Sequence, residues 1–337
     1  MIAERLTAQL LAGPPARDPV AVVTRLLAVQ GQDARGARLA IRARSTGLSA
    51  ADVDRCLTED RSLLITWLCR GTLHLVASED YPWLHALTTP PLSVGNARRL
   101  AQEGVGASAA ERGIGVIERS LADEGPLTRE QLRERIAGAG VRTEGQALVH
   151  LLFLASLRGL VVRGPMVGRQ HAYVLVRDWL GEAEPVPRER ALAELARRYL
   201  AGHAPADARD LAKWSGLPLR DARAGFKAIA SSLEVRPDGL VSLAGQAPAD
   251  LPPAPRLLGA FDPLLMGWTS RTPILGKDDA TVVSGGLFRP FALVRGRGVA
   301  TWRLSSGRVA LEPFGRLARA DRTALESDAD DVVRFLG

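Results

Sequence analysis

Along the first ninety residues the apolar positions recur at helical spacing three times and then change to alternation. Val22, Val23, Leu26 and Leu27 form one apolar stripe, opened by Asp18 as a capping residue with Pro19 in the first turn. Gly31 is the expected end of that helix. Two shorter helical stretches follow, one over ARLAIRARS and one after the cap Ser49. A strand is then predicted, with Trp67, Cys69, Leu73 and Leu75 on one face and Thr66, Arg70, Thr72 and His74 on the other.

The theme repeats after Pro90-Pro91. Helices are predicted from Glu111, from Thr128 and from about Glu144. Two strands then enclose the Gly/Pro-punctuated turn GPMVGRQ. Three helices followed by a hairpin is the order of a winged helix. EAEPVP reads as a linker, and residues 188–243 give three more helices and a short strand pair around Pro237-Asp238-Gly239. From Arg256 the pattern is mostly strands, closed by a helix over DRTALESDADDVVRFL. The expected fold class is α+β. Winged helix-turn-helix modules are expected at 1–95, 108–182 and 188–245, with a β-rich, barrel-like domain at 255–337.

Composition sharpens this picture. The chain has 337 residues, 46% of them hydrophobic, enough for several cores. Its formal charge is +7, and only Lys213, Lys227 and Lys277 are lysines among 44 basic residues. Guanidinium groups are permanently charged and fork onto phosphate, which suits a polyanionic partner. Cys56 and Cys69 are the only cysteines and have no metal-ligand spacing, so neither a zinc site nor a disulfide framework is expected. The N-terminus lacks a long apolar core and no stretch approaches membrane-spanning length, which points to a cytoplasmic protein.

Chemistry is most concentrated at Gln30-Gly31-Gln32. Residues two apart in a regular helix diverge, so both amides converge here only if the helix stops at Gly31. A carboxamide is too weak a base to deprotonate water and can only hold and orient it. The substrate must therefore leave easily. A leaving group that already carries positive charge meets this requirement, because its bond breaks without protonation by an acid. Carbonyl dipoles and a positioned water then suffice. Asp33 invites the role of base, but beside a helix end and arginines it reads as an ion-pair partner.

Gln30-Gly31-Gln32 does not stand alone. TWLCRGTLHLV, DLAKWSGL, LLGAFDPLLMGWTSR and the pair GGLFR and ATWR follow it in order along nearly the whole chain. Together they resemble the winged-helix DNA-binding family that includes the AlkZ- and AlkX-type alkylpurine DNA glycosylases. The resemblance implies a C-shaped clamp of three winged-helix modules plus a C-terminal β-domain. It also implies excision of N7-alkylguanine or N3-alkyladenine, with some members unhooking interstrand crosslinks. The family's signature of Gln, a hydrophobic residue, then Gln or Asp falls on Gln30, Gly31 and Gln32, with Gly where an Ala-like residue is usual. The second Gln is nearer the natural-product self-resistance type.

The expected catalytic residues are thus Gln30 and Gln32. Arg70, Thr72 and His74 are expected to line the same groove. Further DNA contacts are expected from Arg163, Arg169 and Gln170 at the second module's wing, and from Arg295, Arg297 and Arg303 at a later hairpin. The expected substrate is double-stranded DNA carrying alkylated purines, attacked by a monomer without cofactor or metal. A non-catalytic DNA binder is the competing reading, and a protein-binding scaffold a third.

Overall fold

The fold is described on a computed structural model covering residues 1–168, 170–249 and 253–337. The chain opens with α1 (Ile2–Ala8) and α2 (Pro19–Leu26). The Asp18 carboxylate accepts hydrogen bonds from the backbone N–H groups of Val20 and Ala21, satisfying two donors that the first turn leaves free. Val22, Val23, Leu26 and Leu27 are fully buried, as the stripe requires. The helix stops earlier than Gly31. Leu27 takes a φ of 65°, and the chain continues extended through the two-residue strand β1 (Val29–Gln30). α3 (Ala34–Arg42) begins under Asp33, whose carboxylate accepts from the Gly36 N–H, and α4 (Ala50–Thr58) follows.

Two compact units result, Asp54–Pro187 and the combination of Met1–Val53 with Arg188–Gly337. In the first, the single strand expected around Thr66–Leu75 is an antiparallel hairpin of β2 (Leu63–Leu68) and β3 (Thr72–Ala77). Cys69 and Gly71 have φ of 53° and 80°, and this left-handed turn interrupts the alternation without a Pro or Asn to announce it. Helices α5 (Tyr81–Thr88), α6 (Ser93–Gln102), α7 (Ala107–Glu124), α8 (Arg129–Gly138) and α9 (Ala147–Leu157) come next. The hairpin β4 (Val161–Val167) and β5 (Gln170–Leu175) and then α10 (Val176–Leu180) complete the unit. Within it the strands run β3-β2-β4-β5. Ile117, Leu132, Ile136, Leu151, Val161 and Tyr173 are central to one apolar core beneath the helices.

The second unit resumes with α11 (Arg188–His203), α12 (Ala208–Ser215), α13 (Leu219–Ala228), β6 (Leu233–Val235) and β7 (Val241–Leu243). This repeats α7 to β5 in detail. Each middle helix starts with a reciprocal capping box, Thr128 with Gln131 and Asp207 with Asp210. The residue before each cap bridges antiparallel to the hairpin, Leu127 to Tyr173 and Ala206 to Val241. The rest is β8 (Arg256–Leu258), α14 (Thr272–Leu275), α15 (Asp279–Val282), β9 (Val283–Ser284), β10 (Leu287–Phe288), β11 (Phe291–Val294), β12 (Arg297–Ser305), β13 (Arg308–Pro313) and α16 (Arg319–Leu336). The architecture is thus mixed helix and strand.

Among the described residues no barrel closes at the C-terminal end. β13-β12-β11-β8 is an open antiparallel sheet with two edges, and β10-β9 is a separate pair. β8 is three residues long and ends at Leu258, and the first two residues of the expected strand TVVSGG belong to α15, so too little strand remains for closure.

Two close backbone approaches fix the N-terminal helices within this unit. A Cβ on Gly202 of α11 would lie 2.4 Å from the Arg25 carbonyl oxygen, and one on Gly36 of α3 would lie 2.3 Å from that of Ala260. A buried ion pair adds to them. The Arg44 guanidinium donates to both carboxylate oxygens of Asp262 at 2.9 and 2.8 Å, and neither side chain is exposed at all. Gln9 bridges this pair to α11, accepting from Arg44 at 3.0 Å and donating to the Gly202 carbonyl at 2.7 Å.

Candidate active site

Gln30 and Gln32 occupy the connector between α2 and α3, and their convergence has a different cause from the one the pattern suggested. In extended backbone, residues two apart project to the same side. Gln30 is in β1 and Gln32 sits at the bend that follows, so their side chains meet without help from a helix end at Gly31. The positive φ that releases the chain belongs to Leu27. The Gln30 Nε2 donates a short hydrogen bond to the Gln32 Oε1.

The consequence of that bond is polar asymmetry. Gln30 is buried, and its carbonyl oxygen has no hydrogen-bond partner among the described residues. Gln32 is exposed, with its carbonyl engaged and its own amide hydrogens available. A buried acceptor without a donor is costly by roughly 1–3 kcal/mol, and a bound water would satisfy it. Asp33 is occupied as the α3 cap, so its expected ion-pair role is replaced by a hydrogen bond to backbone. A groove of about 490 Å³ starts at Asp33, with Leu39, Ala260, Pro290 and Trp302 in its walls.

The residues expected to line a groove with the pair sit differently. Arg70 is exposed, but in the β2–β3 turn and not on a strand. Thr72 opens β3 opposite Leu68, with its hydroxyl oxygen buried and without a hydrogen-bond partner among the described residues. His74 is buried rather than displayed, because the hairpin places it across from buried Thr66; its Nδ1 lies 2.9 Å from the Thr72 carbonyl. Cys69 is buried, and desolvation pushes its thiol up to about 12, which removes it as a nucleophile.

The wing residues also divide. Arg163 does not face outward: its guanidinium lies over the rings of Trp67 at 4.9 Å and Tyr173 at 4.8 Å, with Nε buried and without a hydrogen-bond partner among the described residues. Gln170 is exposed beside the hairpin turn, and Arg169 lies outside the described residues. Arg295 holds Asp321 of α16 through two hydrogen bonds of 2.8 and 2.7 Å, and its turn is seated on α1, where a Cβ on Gly296 would collide with Ile2. Arg303 pairs with Glu312 across the strands at 2.7 Å. Arg297 is exposed, with no ion pair among the described residues. Trp67, Trp83, Trp214, Trp268 and Trp302 are all buried core aromatics.

Two buried histidines make a checkable statement about acid stability. Burial lowers the pKa of both His74 and His203 to about 3, nearby arginines adding to the effect. The fold accepts only the neutral imidazole. As pH falls below about 6.5 the unfolded chain takes up protons that the folded chain refuses, so stability declines until the folded pKa is reached, by about 1.4 kcal/mol per pH unit and histidine. Urea unfolding at pH 5 should therefore show about 2 kcal/mol less stability per histidine than at pH 7. His203→Phe should remove about half of that difference, whereas an unchanged pH dependence would mean that the imidazole is solvated.

Comparison with known proteins places the whole chain. The model of the AlkZ-like DNA glycosylases matches residues 23–335, which includes the connector and both repeats. The chain belongs to the AlkZ-like DNA glycosylase family. Among its relatives is an interstrand DNA cross-link repair glycosylase of Streptomyces sahachiroi, 28% identical over 94% of this chain and 90% of the relative. The solved structure of the Streptomyces sahachiroi DNA glycosylase AlkZ superposes with a TM-score of 0.81 at 25% identity, over 99% of this chain and 95% of that one. Among the described residues, no helix is long and apolar enough to cross a membrane.

Two features of this family member escaped sequence reasoning. One is the Arg44–Asp262 pair, whose partners are far apart in the chain and separated by every element of the first unit. The other is the basic face of α13, where Arg220, Arg223 and Lys227 recur at i, i+3 and i+7. That spacing was available as a signal.

Proposed function

We propose that this glycosylase hydrolyses the N-glycosidic bond of purines that alkylation has made cationic, N7-alkylguanine and N3-alkyladenine, in base-excision repair or genotoxin self-resistance. The observation that carries the reading is the buried, unpartnered carbonyl oxygen of Gln30, held beside exposed Gln32 by the hydrogen bond between the amides. Gln30 accepts from the attacking water and presents a negative dipole to the sugar as its positive charge develops. Gln32 orients that water through its free N–H groups and fixes the Gln30 amide. No side chain of the pair can protonate a leaving base or carry a covalent intermediate, which suits a monofunctional enzyme and a base that departs already charged.

The name of the Streptomyces sahachiroi relative, an interstrand cross-link repair glycosylase, supports extending the substrates to crosslinked purines. The groove at Asp33 offers space for the alkyl arm. The repeated helix-helix-helix-hairpin stretches are read as winged-helix modules on duplex DNA, with Arg70, Gln170 and Arg297, and the exposed but ion-paired Arg295 and Arg303, as the accessible contacts among the described residues that were expected from sequence. The test is incubation with a duplex containing one N7-methylguanine, followed by alkaline cleavage at the abasic site. Strand scission is expected from the wild type and none from Gln30→Ala/Gln32→Ala; equal scission from both would remove the pair from the mechanism.

A further inference from the structure

We propose that α13 is a duplex-DNA contact of this protein, gripping phosphates on either side of a groove through Arg220, Arg223 and Lys227; this rests on the DNA-glycosylase reading above. The helix is divided cleanly into two faces. Ala222 and Gly225 are buried against α11, so closely that a Cβ on Gly225 would lie 2.5 Å from the Leu192 carbonyl oxygen. The opposite face presents Arg220, Arg223 and Lys227 around the small exposed residues Ala224 and Ala228. Small residues let a helix approach a groove floor while long cations reach to its rims.

These cations are available. Arg220 is 86% exposed and comes no nearer than 3.8 Å to its neighbour Asp221, whose carboxylate is held by Arg188 at 2.8 Å. Arg223 and Lys227 have no ion pair among the described residues, whereas exposed Arg158, Arg177, Arg197 and Arg334 do. Three charges on one turn-to-turn stripe, only Arg220 having a long contact to a carboxylate, complement a phosphate backbone.

The equivalent helix of the other repeat shows that this is a property of α13 and not of the module. α9 carries no lysine or arginine, and its outward residues are covered. His150 hydrogen-bonds Asn96 of α6 at 2.9 Å, Asn96 returns a bond to the His150 carbonyl at 3.1 Å, and Phe153 lies against Trp67. Of two similarly built repeats, only one offers a helix that can enter a groove.

The experiment measures affinity for an undamaged duplex by fluorescence anisotropy across a range of salt, for wild type, Arg220→Ala/Arg223→Ala/Lys227→Ala, and a control that removes equal charge elsewhere, Arg133→Ala/Arg135→Ala/Arg142→Ala. The α13 variant should lose roughly a hundred-fold in affinity at about 0.1 M salt, and its log–log salt slope should fall by about 2–3. The control should keep most of both, and Arg220→Lys/Arg223→Lys should retain the slope. Equal weakening by the control, or an unchanged slope in the α13 variant, overturns the proposal. Base release from N7-methylguanine by the wild type is read separately: release without an α13 effect overturns this contact alone, and an α13 effect without release sustains the contact while overturning the glycosylase reading.

Discussion

Gln32→Ala should bind duplex DNA as the wild type does and yet release N7-methylguanine at least about a hundred-fold more slowly, the loss typical of removing one preorganised polar group from a charge-stabilising site. Two effects combine in that single change. The exposed amide that orients water is gone, and the Gln30 side chain loses the bond that fixes its rotamer. Because Gln32 is exposed, the fold should be untouched, so thermal unfolding and affinity serve as internal controls. Single-turnover kinetics on a methylated duplex is the decisive measurement. Release within a few-fold of wild type would show that the buried Gln30 carbonyl acts without its neighbour.

Asp262→Ala should be the most destabilising single substitution tested, by about 3–5 kcal/mol in urea unfolding, because it strands the Arg44 guanidinium in the interior without its counter-charge. Asp262 also accepts from the Leu264 N–H and so caps the turn that follows β8. Replacing both partners, as in Arg44→Met/Asp262→Leu, should recover much of the loss, since two apolar side chains require no compensation. If Asp262→Ala instead kept its stability and lost only base release, the carboxylate would have to be assigned to chemistry, against its complete burial.

These two sites show what the amino-acid sequence discloses and what it withholds. Helix starts were readable because their causes are local: Asp18, Thr128 and Asp207 each cap the residues that immediately follow. The amide pair was readable as chemistry but not as geometry. A leucine adopts the left-handed conformation that ends α2, and the visible glycine four residues later diverts attention from it. The β2–β3 turn was missed although Gly71 marks it, because the apolar alternation runs on across it, and with it went the burial of His74. Arg163 and Arg295 read as free cations because their partners, Trp67 and Tyr173 for one and Asp321 for the other, are brought to them only by tertiary structure.

The connector holding the amides is short and anchored at both ends, by Gly202 against the Arg25 backbone and by Gly36 against that of Ala260. Gln30 and Gln32 meet because they are two residues apart, so inserting or deleting one residue between them would turn the second amide away from the first. Evolution can therefore exchange the chemical group at position 32 far more freely than it can alter the length of this segment, and lineages that vary the reaction should do so by substitution alone.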